Sequence, residues 1–275
     1  VSCKKPTASR ICKLFNTSGT IVAELKYNRE DFRRFGFHSH PTFSLSALAS
    51  GGIEIDFAHD TPVILRPGAV AFYPPERVHR TALLEGEAPA YYNLHIDPDY
   101  CAKLWGEEQS HPETFTPFWK MPILEDPRFY DHFLLLCRLI LQEEASDRIE
   151  ALLAALLRDL YAQMPHREII EAPEDPLAES IARFLNQRLD DPPDLAELSR
   201  RFGYHPDVLN RRFKRRFGLS LRAYLIDRRL HRAKTMLLEG RHSVAQIAVE
   251  TGFYDQSHFV KAFKKAYSLP PGEYR

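Results

Sequence analysis

Asn210, Arg211, Gln256 and Lys261 are side chains that can pair with the edges of bases, and they stand in a pattern the chain writes twice. Arginine pairs in bidentate fashion with guanine and asparagine with adenine, while an aspartate such as Asp207 can accept from cytosine. In the first copy, Leu195 to Lys214, Leu209 and Phe213 fall one helical turn apart and must face inward. That turns Asp207, Asn210, Arg211 and Lys214 outward. In the second copy, Val244 to Lys264, Phe259 and Phe263 face inward. Gln256, Ser257, Val260 and Lys261 then face out, with His258 on the flank. Lys214, Arg215, Arg216, Lys264 and Lys265 stand at helix ends, where they suit backbone phosphates and give salt-dependent affinity without sequence choice.

The elements that must position these residues are a short helix, a glycine turn and a basic helix, made twice. Gly203 and Gly252 lie 49 apart and Phe213 and Phe263 lie 50 apart, so one residue is inserted just after the glycine. Leu195, Leu198 and Phe202 supply the apolar face of the first supporting helix. Pro206 and Asp207 open the next helix; His205 is a poor cap, whereas Asp255 is a good one for the second copy. Seven helices are expected over about 177–188, 194–202, 206–217, 220–239, 243–251 and 255–266, with a short one after Pro270. Helix 220–239 is the rigid spacer, and two recognition helices held about one duplex turn (~34 Å) apart would enter adjacent major grooves from the same face.

Charge agrees once the chain is divided. The 275 residues carry no formal net charge, but Leu177 to Arg275 has 19 Lys and Arg against 11 Asp and Glu, leaving Val1 to Pro176 with a net of −8. A basic module joined to an acidic one suits nucleic-acid binding plus a separate regulatory domain. The four cysteines, Cys3, Cys12, Cys101 and Cys137, have no zinc-ligand spacing. No apolar run approaches the ~20 residues needed to cross a bilayer. A cytoplasmic protein with reduced thiols is expected.

The first half reads differently. From about Ile11 to Ile96 short alternating runs (Phe43 to Leu48, Ile53 to Phe57, Val63 to Leu65, Val70 to Tyr73) are separated by turn signals at Gly51-Gly52 and Pro67-Gly68. A β-sandwich or barrel is expected. From about Pro127 to Met164 the period becomes helical, with Phe133, Leu136, Cys137, Ile140 and Leu141 on one stripe and Ile149, Leu152, Leu153, Leu156, Leu157 and Leu160 on another. Two antiparallel helices broken near Glu144–Asp147 fit, their faces spent on the β core, on a second copy of the chain, or on both. Residues 165–176 read as a linker. The fold expected is thus α+β and multidomain: a β domain over 1–126, a helical pair over 127–164, the linker, and an all-α double helix-turn-helix over 177–275.

Leu195 to Arg275 resembles the DNA-binding module of the AraC/XylS family of bacterial transcription regulators. The residues carrying the resemblance are Ala196, Gly203, Leu209, Arg211, Phe213-Lys214, Gly218, Arg229, Arg232-Ala233, Ile247-Ala248, Gly252-Phe253, Asp255, Ser257-His258-Phe259, Phe263-Lys264, Pro270 and Tyr274-Arg275. The chain departs from the pattern with His205 where serine is common and Lys261 where arginine is usual. The resemblance implies sequence-specific promoter binding, usually as an activator, with base contacts from the outward residues named above.

Phe37-His38-Ser39-His40 and Pro67-Gly68, Pro74, Glu76 and His79 resemble the two cupin motifs of the ligand-sensing domain found in many such regulators. His38, His40 and His79 correspond to the three metal-binding histidines of metal cupins; Ser44 stands where the fourth ligand, a glutamate, would be, and Glu76 replaces a glycine. Period-2 geometry places His38, His40, Thr42, Ser44 and Ser46 on one strand face and Tyr91, Asn93 and His95 on one face of a later strand. The favoured reading is an effector pocket without metal or cofactor, formed by His38, His40, Ser44, His79, Tyr91, Asn93 and His95 and suited to a small polar molecule. A bound metal ion and histidines merely hydrogen-bonded in a ligand-less barrel are the alternatives.

Together these readings predict a non-enzymatic, effector-responsive regulator. Its partners are double-stranded promoter DNA, a small polar effector, RNA polymerase and a second copy of the chain, and no membrane. A constitutive regulator whose barrel only dimerises is the alternative; a cupin enzyme is disfavoured by the missing carboxylate and the attached DNA-binding module.

Overall fold

The computed structural model describes residues 10–17, 20–29, 35–58, 61–85, 89–105, 123–163, 175–267 and 269–274. The chain divides into two compact units, one formed by Val1–Arg34, His40–Arg77 and Thr81–Ile170, the other by Phe35–Ser39, Val78–Arg80 and Glu171–Arg275.

Among the described residues ten strands form two sheets. The strands are β1 (Arg10–Thr17), β2 (Thr20–Arg29), β3 (Phe35–His38), β4 (Phe43–Ser50), β5 (Ile53–Phe57), β6 (Val63–Leu65), β7 (Val70–Tyr73), β8 (His79–Leu83), β9 (Ala90–Ile96) and β10 (Ile123–Leu124). One sheet has the order β1-β2-β9-β4-β7-β10 and the other β3-β8-β5-β6. The single strand face expected to run from His38 to Ser46 is instead interrupted: β3 ends at His38 and β4 begins at Phe43. Pro41 lies in the gap, and its missing N–H cannot join a ladder.

Register decides what each face of the larger sheet meets. Leu25 pairs with Leu94, Leu94 with Leu45 and Leu45 with Phe72, so these side chains share one face. That face packs under three helices, α1 (Pro98–Trp105), α2 (Pro127–Leu141) and α3 (Ser146–Gln163), in one core that contains Phe43, Phe129, Phe133, Leu153 and Leu157. Asp126 caps α2 by accepting from Arg128 N at 2.8 Å, and Trp105 Nε1 donates to Leu157 O at 3.0 Å. Both apolar stripes of the helical pair are spent on this core, although Leu135 stays 39% exposed. Cys12, Cys101 and Cys137 are free thiols, while Cys3 lies outside the described residues.

The second unit carries α4 (Pro176–Asn186), α5 (Leu195–Phe202), α6 (Pro206–Phe217), α7 (Leu221–Glu239), α8 (Val244–Glu250), α9 (Gln256–Tyr267) and a 3-10 turn over Pro271–Glu273. The expected linker reached to 176; instead Asp175 caps α4 by accepting from Ala178 N at 3.2 Å, and Pro176 is the first helical residue. Residues 165–174 of that linker lie outside the described residues. Asp194, Ser220 and Ser243 cap α5, α7 and α8, the last as a reciprocal capping box with Gln246. Two separate cores result. One gathers Ile181, Leu185, Leu198, Leu209, Phe213 and Tyr224; the other gathers Leu230, Leu237, Ile247, Phe259, Phe263 and Tyr274. Helix α7 contributes to both. No helix among the described residues is long and apolar enough to cross a membrane.

Candidate nucleic-acid interface and effector-binding face

Each repeat unit folds its second helix around two buried apolar side chains one turn apart. Leu209 and Phe213 on α6, and Phe259 and Phe263 on α9, have no exposed surface. With that stripe fixed inward, Asp207, Arg211, Lys214 and Arg215 are exposed on α6, as are Gln256, Ser257, His258, Lys261, Lys264 and Lys265 on α9. Asp255 caps α9, accepting from His258 N at 2.7 Å. His205 caps α6 weakly, through Nδ1 at 3.4 Å from Asp207 N.

Three residues depart from expectation. Asn210 is half-buried, and its Oδ1 accepts from Leu221 N at 3.1 Å. The first turn of α7 thus uses the acceptor that bidentate pairing with adenine requires. Arg216 lies 2.5 Å from Glu179 on α4 and is only 23% exposed, so it braces the module rather than standing free for phosphate. Leu195, expected inward, is 51% exposed. The sequence reading missed Arg212, which holds Asp175 with both edges of its fork, and Tyr254, which stands 93% exposed just before α9.

In the first unit the other face of the large sheet is polar. Strand register aligns Glu24, His95, Ser44 and Tyr73 in one row and Lys26, Asn93, Ser46 and Ala71 in the next, with Asn28, Tyr91 and Leu48 beyond. His95 is the centre of this face: its Nδ1 lies 2.8 Å from Ser44 Oγ and 3.3 Å from Thr42 Oγ1, and its Nε2 lies 3.5 Å from Lys26 Nζ. Lys26 is also 3.3 Å from Glu24, a pair nearly withdrawn from water, and Asn28 Nδ2 donates to Tyr91 at 3.3 Å. Burial pushes the Tyr73 phenol up, against the opposing effect of its bond with Ser46. Asn93 Oδ1 is buried without a hydrogen-bond partner. At the Tyr73–Tyr91 end the polar rows give way to Ile55, Phe57 and Leu65. The expected residues Ser44, Tyr91, Asn93 and His95 therefore do share a face. Glu24, Lys26 and Asn28 were missed because their alternation with Leu25 and Tyr27 reads equally well as a wet outer edge.

His38 and His79, both in the second unit, stand ring against ring with centroids 4.5 Å apart, while His40 belongs to the first unit. His40 continues toward the polar face, its ring 4.7 Å from that of His95. Where a metal cupin would carry a glutamate the chain has Ser44, a hydroxyl that bonds His95 and offers no carboxylate to a metal ion. Glu76 takes a left-handed backbone (φ 64°), the conformation that a glycine adopts without cost.

The AraC-like ligand binding domain family matches residues 21–161, and a helix-turn-helix domain family matches residues 198–275. The chain belongs to the AraC family of transcription regulators. As in that family, a sheet-rich ligand-binding domain precedes a helical DNA-binding domain. The chain is similar to the arabinose operon regulatory protein of Escherichia coli (strain K12), with 26% identity over 273 residues that cover 88% of this chain and 91% of that one. The transcriptional regulator MtrA of Neisseria gonorrhoeae is 42% identical over 67 residues, which cover 24% of this chain and 22% of MtrA. The AraC-family fold extends to apo ToxT from Vibrio cholerae (TM-score 0.56, 14% identity, 95% of this chain and 98% of ToxT) and to ToxT bound to an unsaturated fatty acid (TM-score 0.53, 14% identity, 99% and 96%). This AraC-family chain is a DNA-binding transcription regulator with a ligand-binding domain.

Proposed function

We propose that this regulator activates promoters in response to a small polar effector. The effector is held on the face formed by Glu24, Lys26, Ser44, Tyr91, Asn93 and His95, and DNA is read by the exposed residues of α6 and α9. The observation that carries the reading is the pairing of a buried polar face in one unit with two basic helices whose apolar stripes are spent inward in the other. Asp207 and Arg211 on α6, and Gln256, Ser257, His258 and Lys261 on α9, are the proposed base-reading set. Lys214, Arg215, Lys264 and Lys265 serve phosphates. Asn210 is left out because of its bond to Leu221.

The effector face offers an acid, an ammonium, an imidazole and amides in close register, which suits a ligand carrying several hydroxyls or a hydroxyl and a carboxylate. A relative is a regulator of an arabinose operon and a structural neighbour was solved with a fatty acid, so sugars and carboxylic acids are the first two classes to try. An effector that favours the DNA-competent state shifts DNA affinity or polymerase contact by its difference in binding free energy between states. We further propose a cytoplasmic, non-enzymatic protein that meets RNA polymerase at the promoter and pairs with a second copy through α2 and α3, where Leu135 remains exposed.

Titration of the full chain with a panel of sugars and small organic acids tests the reading, with thermal shift and operator affinity as readouts. One class should raise the melting temperature and change DNA affinity, and His95→Ala should abolish both. If every class left both readouts unchanged, the effector assignment would fail.

A further inference from the structure

The turn glycines of the two repeat units are not equivalent. At Gly203, with φ 74°, an added Cβ would meet nothing within 4 Å, so only the left-handed backbone asks for glycine. At Gly252, with φ 77°, the same atom would stand 2.6 Å from Arg229 Nη2, 2.9 Å from Arg229 Cζ and 2.7 Å from Leu189 O. At such distances an added side chain would have to displace the guanidinium and the Leu189 carbonyl. The second turn is seated on a guanidinium and a backbone carbonyl.

Arg229 belongs to α7 and is 9% exposed. Its Nε donates to Leu189 O at 2.7 Å, and Leu189 lies just beyond the end of α4. On one side of it along α7, Tyr224 packs in the core of the first repeat unit; on the other, Leu230 packs in the core of the second. The arginine thus stands where the two cores meet, bonded to backbone from the first and pressed against the turn of the second.

We propose that Arg229 is a positioning residue for DNA recognition. It fixes the approach of α9 relative to α6 by seating the Gly252 turn against Leu189, and it touches no DNA itself. Arginine suits the task because its planar fork keeps one geometry once Nε is bonded, whereas a lysine ammonium on a flexible stem does not. The proposal rests on the reading of α6 and α9 as two recognition helices. When both reach their boxes at once, the second contact is intramolecular, and that advantage depends on fixed geometry.

The test uses the full chain and a duplex that the wild type recovers from a random-sequence pool, together with versions in which the box read by α9 is scrambled or two base pairs are inserted between boxes. Arg229→Lys should lose roughly ten-fold or more on the intact duplex, approaching the wild-type affinity for the scrambled one. On the scrambled duplex it should bind within about two-fold of wild type, with an unchanged salt slope because no phosphate contact is removed. The insertion should cost it less than it costs wild type. Gly252→Ala, which drives the guanidinium from its seat, should give the same selective loss, so the proposal does not hang on the folding of one variant. Equal loss on both duplexes, or wild-type behaviour on all three, would overturn the positioning role. If the wild type recovered no duplex at all, the DNA-reading assignment itself would fall before any variant was compared.

Discussion

Arg212 grips Asp175 with both edges of its fork, Nε donating to Oδ2 at 2.9 Å and Nη2 to Oδ1 at 2.6 Å. Asp175 is 3% exposed and also caps α4, while Arg215 approaches it at 3.5 Å. A residue at the end of the expected linker is therefore fastened to α6, the first of the two proposed recognition helices, and partly neutralises its basic flank.

Asp175→Asn keeps a capping oxygen but removes the charge, and should cost about 1.5–3 kcal/mol of stability. The Arg212 bond, foremost, holds the Asp175 carboxyl below the ordinary carboxylate range. A depressed carboxyl stabilises the fold fully above its unfolded pKa, about 3.9, and loses that contribution as pH falls through the lower folded value. Urea denaturation of both proteins should show a constant gap between about pH 5 and 7 that closes below about pH 4. A gap that widened with acid would contradict the ion pair.

Variants at Arg211 and Lys265 should separate the proposed base reading from phosphate holding. Arg211→Ala should cost about 1–3 kcal/mol and relax the preference at one base position. Lys265→Ala should weaken binding to every sequence alike and reduce the salt slope by about 0.9. Affinities measured over a salt series on a matched and a single-base-altered duplex distinguish the two. Wild-type behaviour by both variants would mean that α6 and α9 present a different edge to DNA.

Glu24 and Lys26 should behave as a coupled pair. Their side chains are only 5% and 16% exposed, so Lys26→Met, which removes the cation 3.3 Å away, should destabilise by about 3–5 kcal/mol. Glu24→Gln with Lys26→Met should cost much less than the sum of the single changes. A double-mutant cycle by chemical denaturation measures this coupling. Strict additivity would show that the two do not interact.

The turn glycines differ in the same quantitative way. Gly203→Ala should cost about 1–2 kcal/mol, the penalty of a left-handed backbone for a residue with a Cβ. Gly252→Ala pays that penalty and also displaces Arg229 and Leu189, and its fall in melting temperature should be clearly the larger. Equal losses at the two sites would contradict the packing around Gly252.

What was legible in the sequence was local. Helix α6 occupies the expected 206–217, and α9 begins one residue later than expected, because a proline or aspartate start and a phenylalanine stripe at helical spacing are signals contained within a dozen or so residues. The departures come from distant partners. Asn210 turns toward α7 because Leu221 N needs an acceptor, and Arg216 toward α4 because Glu179 offers a carboxylate. In β2, Glu24, Lys26 and Asn28 went unread, because only the pairing with β9 shows that their face meets His95, Asn93 and Tyr91. Leu195 matched the apolar pattern of α5 yet sits at its first position, beyond the reach of the core.

Selection of binding sites from random duplex DNA by the 275-residue chain tests the proposed double recognition surface most directly. The expected result is an enriched sequence with two short boxes centred about one helical turn, ~10.5 bp, apart, which Arg211→Ala alters in one box and Lys261→Ala in the other. A single enriched box, or no enrichment over the starting pool, would contradict it.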